Sequence, residues 1–204
     1  MKDIIFKFLL ILSFFTCFSS YSQNSSFIVT NSNDTVYVKK FSIKSKNIKV
    51  KLQNGKKKRF SYNDVKSLYN AKKKMDFQKI KPAFVEYSEH SGTVFFAEKL
   101  TKGKIRIYNA IINHNLHFAG NAYGNQYSSY YIGIYDSKPE LINREWDLKL
   151  TKDVYKILKL YLHSNNGIQK KLDDLFFSTE EDEEIESKII DLVNEYNESA
   201  ASNN

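Results

Sequence analysis

Apolar residues recur at every second position in short segments between residues 35 and 135, and at every third or fourth position from Thr151 onward. A run of strands followed by a run of helices defines the α+β class. Alternation marks strands at residues 35–41, 48–52, 58–62, 77–87, 93–100, 104–113 and 130–135. The expected fold is an antiparallel, strongly twisted sheet of about six or seven strands, followed by two or three C-terminal helices packed on it.

Turn chemistry sharpens this reading at one hairpin. A two-residue loop at Asn54-Gly55 would set Val50 opposite Arg59 and mix the two faces. A three-residue loop, Gln53-Asn54-Gly55, with Gly55 in the left-handed conformation, sets Ile48 opposite Phe60 and keeps one face apolar. The longer loop is therefore expected. Residues 61–70 suggest a short helical turn, because Ser61 or Asn63 can cap it and Val65, Leu68 and Tyr69 have helical spacing. Lys102-Gly103 marks another hairpin, and residues 104–113 carry apolar side chains at both parities, as a strand covered on both faces does.

Among the helices, Val154, Ile157, Leu158 and Tyr161 form one stripe, stopped by Asn165-Asn166-Gly167. A short helix is expected at residues 168–176. Ser178 and Glu181 fit a capping box for the last helix, with Glu180, Asp182, Glu183 and Glu184 at its positive end and a stripe of Ile185, Ile189, Leu192, Val193 and Tyr196. No internal repeat or Pro/Gly-rich linker divides the chain. The expected organisation is a flexible lead-in at residues 23–33, a single domain at 34–198 and a frayed tail at 199–204.

Residues 1–22 stand apart. Lys2 and Lys7 flank a short charged start, and Ile4 to Phe18 form an apolar stretch, broken only by Lys7, Ser13, Thr16 and Cys17, that is too short to span a bilayer; Ser20 and Ser22 suit a signal-peptidase cut before Gln23. The expectation is export through a signal peptide to the periplasm or the exterior. Cys17 is the 1 cysteine of the 204 residues. A lipid on it is the competing reading and the one expected route to a membrane, although Phe14-Phe15-Thr16 matches lipidation signals poorly. Cleavage at Gln23 leaves a chain without disulfides, thiolate metal sites or cysteine nucleophiles.

Charge is divided along the chain. Residues 23–109 hold 20 Lys and Arg against 6 Asp and Glu, whereas residues 110–204 hold 9 against 16. Two readings compete for the runs Lys56-Lys57-Lys58-Arg59 and Lys72-Lys73-Lys74. One is a basic surface for phosphate, uronate or sulfate groups of an anionic polymer or envelope component. The other, favoured on sequence grounds, is solvated turn tips and strand edges, where lysines discourage edge pairing and where the acidic helices could cancel the field. Export argues against nucleic acid as partner.

Catalytic signals are thin. His114 and His117, with His90 and Glu89, have no single-face metal spacing. Glu86 and Glu89 could serve as an acid and base pair, but their neighbours read as a solvated turn. Ser128, Ser129, His163 and Asp64 form no nucleophile motif, and no glycine-rich phosphate loop is present, so no cofactor and no catalytic residue are expected. The most distinctive stretch, residues 118–131, reads as a long hairpin loop in which Tyr123, Tyr127 and Tyr130 could offer flat faces to a sugar or peptide. With Lys57, Lys58 and Arg59, these are the candidate ligand-binding residues.

The signal ending Tyr21-Ser22-Gln23, the opening Asp34-Thr35-Val36-Tyr37-Val38, the step Phe60-Ser61-Tyr62-Asn63-Asp64-Val65-Lys66, the strand Gly103-Lys104-Ile105-Arg106-Ile107-Tyr108, the Tyr130-Tyr131-Ile132 segment and the close Glu195-Tyr196-Asn197 form a pattern. It resembles the small exported proteins of unknown function common in Bacteroidota. The resemblance implies an envelope or secreted location and supplies no catalytic residue; where such proteins often carry Asp-Cys-Pro, this chain has Ser164-Asn165-Asn166-Gly167. The leading expectation is a non-enzymatic exported binding protein, and the alternative is a hydrolase acting on an anionic envelope or extracellular polymer.

Overall fold

The computed structural model describes residues 25–44, 47–81, 94–118, 121–135, 137–143, 147–178 and 184–202. It is α+β, with ten strands and three C-terminal helices among the described residues: β1 (Ser26–Thr30), β2 (Thr35–Ile43), β3 (Asn47–Leu52), β4 (Lys57–Ser61), β5 (Val65–Asn70), β6 (Met75–Ile80), β7 (Phe95–Lys99), β8 (Ile105–Phe118), β9 (Asn121–Ile134), β10 (Glu140–Asn143), α1 (Lys152–Tyr161), α2 (Asn166–Phe177) and α3 (Ile185–Ser202). The chain divides between Phe77 and Gln78 into two compact units; the strand order is β5-β1-β2-β3-β4 in the first and β10-β9-β8-β7 in the second.

Three strands exceed the expected six or seven, and each has a physical reason. β1 lies inside the Ser- and Asn-rich lead-in expected to be flexible; Ile28 is buried between β2 and β5, which flank it. β5 replaces the expected helix. Ser61 does cap a helical turn, its Oγ accepting from the Asn63 N–H at 3.2 Å, but that turn is a 3-10 turn limited to Tyr62–Asp64. Val65 and Leu68 share a face because β5 bulges: Val29 pairs with Ser67 and Thr30 with Val65, which leaves Lys66 as an extra residue. A bulge thus copies helical spacing. β10 is four residues long and too short to show a period. At the other end, α3 runs to Ser202, so residues 199–202 are helical rather than frayed. Ser178 closes α2, donating to the Leu175 carbonyl at 2.7 Å, instead of opening the last helix.

The first unit is curled. In the order β5-β1-β2-β3-β4, the outer strands of a flat sheet would lie about 19 Å apart. Yet β4 ends at Ser61 and β5 begins at Val65, a step that spans about 13–14 Å at full extension and less through a helical turn. The sheet must therefore bend toward closure. Ile28, Val38, Ile48, Val50, Phe60, Val65 and Leu68 are all buried on its inner side. β2 bends at a bulge, where Val38 faces Leu52 and Lys40 faces Lys51, so Lys39 is the extra residue and both Val38 and Phe41 turn inward. The β3–β4 hairpin has the three-residue loop: Ile48 pairs with Phe60, the Gly55 N–H donates to the Leu52 carbonyl at 3.0 Å, and Gly55 has φ +83°.

In the second unit, β8 is covered on both sides. Ile105 and Ile107 join Tyr130, Ile132 and Ile142 against Val154, Leu158, Leu162, Ile168, Leu172, Ile189 and Val193 from the helices and their connections. Tyr108 and Ala110 face the other way, with Ala97 and Tyr131. The helices begin at caps: Thr151 Oγ1 accepts from the Val154 N–H at 3.3 Å and Asn165 Oδ1 from the Ile168 N–H at 3.1 Å. Tyr155 stacks on Phe176 at 4.1 Å between centroids, tying α1 to α2. α3 grips the β7–β8 turn. Asn197 Oδ1 accepts from the Ile105 N–H at 2.9 Å, its Nδ2 donates to the carbonyls of Ile105 at 2.8 Å and Lys102 at 2.5 Å, and Asn194 accepts from the Lys102 N–H at 3.0 Å. Gly103, φ +96°, leaves room for this: a Cβ there would lie 2.7 Å from Asn197.

Candidate functional site

Register, rather than sequence adjacency, assembles a basic face on the first unit. Ile48 and Val50 face inward on β3, so Lys49 and Lys51 face outward. Lys49 pairs with Arg59 on β4 and with Ser42 on β2, and Lys51 pairs with Lys57 on β4 and with Lys40 on β2. The bulge turns Lys39 outward as well. Two rows result, Ser42–Lys49–Arg59 and Lys39/Lys40–Lys51–Lys57. Directly opposed side chains lie about 5 Å apart at Cβ, and like charges so placed are destabilising. Among the described residues, the side chains of Lys40, Lys49, Lys51, Lys57 and Arg59 have no hydrogen-bond or ion-pair partner. Among the described residues, no acidic side chain is ion-paired with them.

Lys58 sits apart from these rows. It pairs with Val50 and shares the parity of Phe60, over whose ring its Nζ lies at 4.6 Å. Lys58 and Arg59 also line an open cleft of about 380 Å³ with Phe60, the turn at residues 30–32, Asn63 and Asp64. That turn is held in place: the Asn31 N–H donates to the Asp64 carbonyl at 3.0 Å, the Asn31 amide donates to the Asn63 carbonyl, and Ser32 Oγ donates to Asp34 Oδ2 at 2.6 Å. Hydroxyls, amides and two cations meet there beside one carboxylate.

The basic runs lie where the favoured sequence reading, turn tips and strand edges, put them. Lys72, Lys73 and Lys74 occupy the β5–β6 turn, as solvated turn lysines do. Lys57, Lys58 and Arg59 lie on β4, the edge of the sheet, where lysines block pairing. Edge protection does not account for Lys40 on β2 or Lys49 and Lys51 on β3, which are interior strands.

The tyrosine-rich stretch is strand, not loop. β8 and β9 pair without interruption from Ile105 and Ile134 to Phe118 and Asn121, which places Tyr123 opposite Leu116, Tyr127 opposite Ile112 and Tyr130 opposite Asn109. The side chains of Tyr123 and Tyr127 lie outside the described residues. Tyr130 is 1% exposed, and its hydroxyl donates to Glu186 Oε2 at 2.8 Å, which also accepts from the Leu148 N–H at 3.2 Å. Burial first, then the Glu186 carboxylate, pushes the Tyr130 hydroxyl well above the usual tyrosine range. This ring joins α3 to the sheet and offers no open face to a ligand.

Glu86, Glu89 and His90 lie outside the described residues, as do the side chains of His114 and His117. Among the described residues, no group of three or more His, Cys, Asp or Glu is placed to hold a metal ion, and no helix is long and apolar enough to cross a membrane. No family model matches the chain, and neither a curated protein nor a solved structure matches it.

Proposed function

We propose that this is an exported, non-enzymatic binding protein whose outer basic face, on β2, β3 and β4, holds an anionic polymer or envelope component. One observation carries the reading: five cations from three strands are opposed in register, and none has an ion-pair partner among the described residues. Such an arrangement works against the fold, and an anion shared by several of them removes that penalty. The signal-like residues 1–22 and the resemblance to exported proteins support the location.

Five cations meeting a polyanion give a slope of log affinity on log salt of about −4, hence a loss of roughly 200- to 300-fold between 50 and 200 mM salt. Heparin serves as the probe. The parent chain is expected to bind it with that salt dependence, and a variant with Lys49→Ser, Lys51→Ser and Arg59→Ser is expected to lose most of the binding while melting no lower than the parent. Absence of binding at low salt, or binding that the triple variant retains, overturns the proposal.

A further inference from the structure

We infer that the polymer is an anionic glycan, one of whose sugar rings rests on Tyr37; the inference builds on the anion-binding reading. Tyr37 lies on the outer side of β2, since its neighbour Val38 is buried, and the residue is 47% exposed. It ends a row across three strands, Tyr69–Phe27–Tyr37, fixed by the pairs Phe27 with Tyr69 and Phe27 with Tyr37. Phe27 and Tyr69 stack on each other at 5.2 Å and 30°, so their facing surfaces are already used, whereas Tyr37 meets Phe27 edge-to-face at 6.3 Å and 71°. One amphipathic residue thus packs edge-on against Phe27 with about half of its surface in solvent. Lys39 and Lys40 follow it on the same strand, after the inward Val38.

The layout of charge favours a glycan over other polyanions. The two cation rows are separated by two residues along each strand, about 7 Å, and their members by one strand spacing, about 4.8 Å. This is a two-dimensional grid beside one aromatic ring. A polymer of sugar rings carrying sulfate or carboxylate on both sides meets such a grid and needs one apolar platform for a ring face. A single nucleic-acid strand carries its phosphates in single file and depends on successive exposed aromatic faces, and here only Tyr37 has such a face among Tyr69, Phe27 and Tyr37.

The test compares three probes on the full chain: a heparin-derived oligosaccharide, a single-stranded oligothymidylate of matched charge, and vesicles containing phosphatidylglycerol. The oligosaccharide is expected to bind tightest. Tyr37→Ala is expected to weaken it about tenfold with an unchanged salt slope and to leave oligothymidylate binding as in the parent, whereas Tyr37→Phe retains the ring and the affinity. Should the alanine variant fold poorly, Tyr37→Thr, which suits a strand, takes its place. Tighter binding of the oligonucleotide or the vesicle, or equal effects of Tyr37 substitution on all probes, overturns the glycan assignment alone. A parent chain that binds none of the probes, or a Lys49, Lys51 and Arg59 variant that binds like the parent, overturns the anion-binding reading beneath it.

Discussion

Asn197→Leu is the substitution that best measures how the last helix holds the sheet. Asn197 is 8% exposed and serves three backbone groups of the β7–β8 turn. Leucine matches its branched shape, so the close approach of Gly103 is preserved and the loss is polar. The Ile105 carbonyl keeps a partner, because Thr101 Oγ1 donates to it at 3.2 Å. The Lys102 carbonyl lies at the exposed turn and can turn to water. The buried Ile105 N–H is left with nothing, which costs about 1–3 kcal/mol, and the lost bonds bring the total to about 2–4 kcal/mol. For a chain of this size that lowers the melting temperature by about 5–15 °C. Asn197→Asp adds a second reading. Its carboxylate still accepts from Ile105 but faces two carbonyls that need a donor, so the folded state raises its pKa. Stability relative to the parent then falls as pH rises from about 4 to 7. Circular dichroism on chemical denaturation reads both variants. An Asn197→Leu protein as stable as the parent, or an Asn197→Asp protein with no pH dependence beyond the parent's, would falsify the clamp.

At alkaline pH, burial and carboxylate hydrogen bonds raise the hydroxyl pKa of Tyr130 and Tyr161, the latter through Glu140. Their contribution is complete below the unfolded tyrosine pKa and is lost above about pH 10; denaturation midpoints should drop there, and less steeply in Tyr130→Phe and Tyr161→Phe, with unchanged slopes counting against the argument. Gly55 has φ +83° in open space, so Gly55→Ala should cost about 1–2 kcal/mol from backbone strain alone while Gly55→Asn costs less; equal melting of the alanine and parent chains would contradict it. Removing residues 178–204 deletes Ile189, Leu192, Val193 and Tyr196 from the core, worth about 6–12 kcal/mol against a net stability of about 5–15 kcal/mol. The truncated chain should be insoluble or unfolded, and a parent-like melt would refute that.

Alternation was readable where one face is solvated and the turn is short, as in β3 and β4, whose loop length and register follow from keeping Ile48 opposite Phe60. It failed at β5, where Lys66 interrupts the period and leaves buried residues three apart. It failed at β1 because Phe27, Ile28 and Val29 form an unbroken apolar triplet inside a polar segment. The tyrosines and glycines of residues 118–131 suggested a loop, yet both strands pair through them. Lys57 and Arg59 were visible as part of a run. Lys40, Lys49 and Lys51 were not, since they are scattered along the chain and meet only across strands; the register that sets Ile48 against Phe60 also sets Lys49 against Arg59, and that was the available signal. Tyr37 gave none, being one more outward residue in an alternating strand.

The bulge at Lys39 has an effect on the molecule's tolerance for its own charge. At that point β2 presents two consecutive side chains to solvent where regular alternation allows one, so the surface gains a cation without the interior losing an apolar residue. The bulge also bends the strand, and the solvent side of a bent sheet is the outside of the curve. Side chains rooted on a convex surface fan apart toward their tips, so the ammonium groups are farther from one another than their Cβ atoms are. Curvature spreads the cations in the free protein, and a ligand long enough to follow the arc reaches all of them. A flat sheet with the same lysines would crowd their charges, and a concave one would exclude the chain that neutralises them.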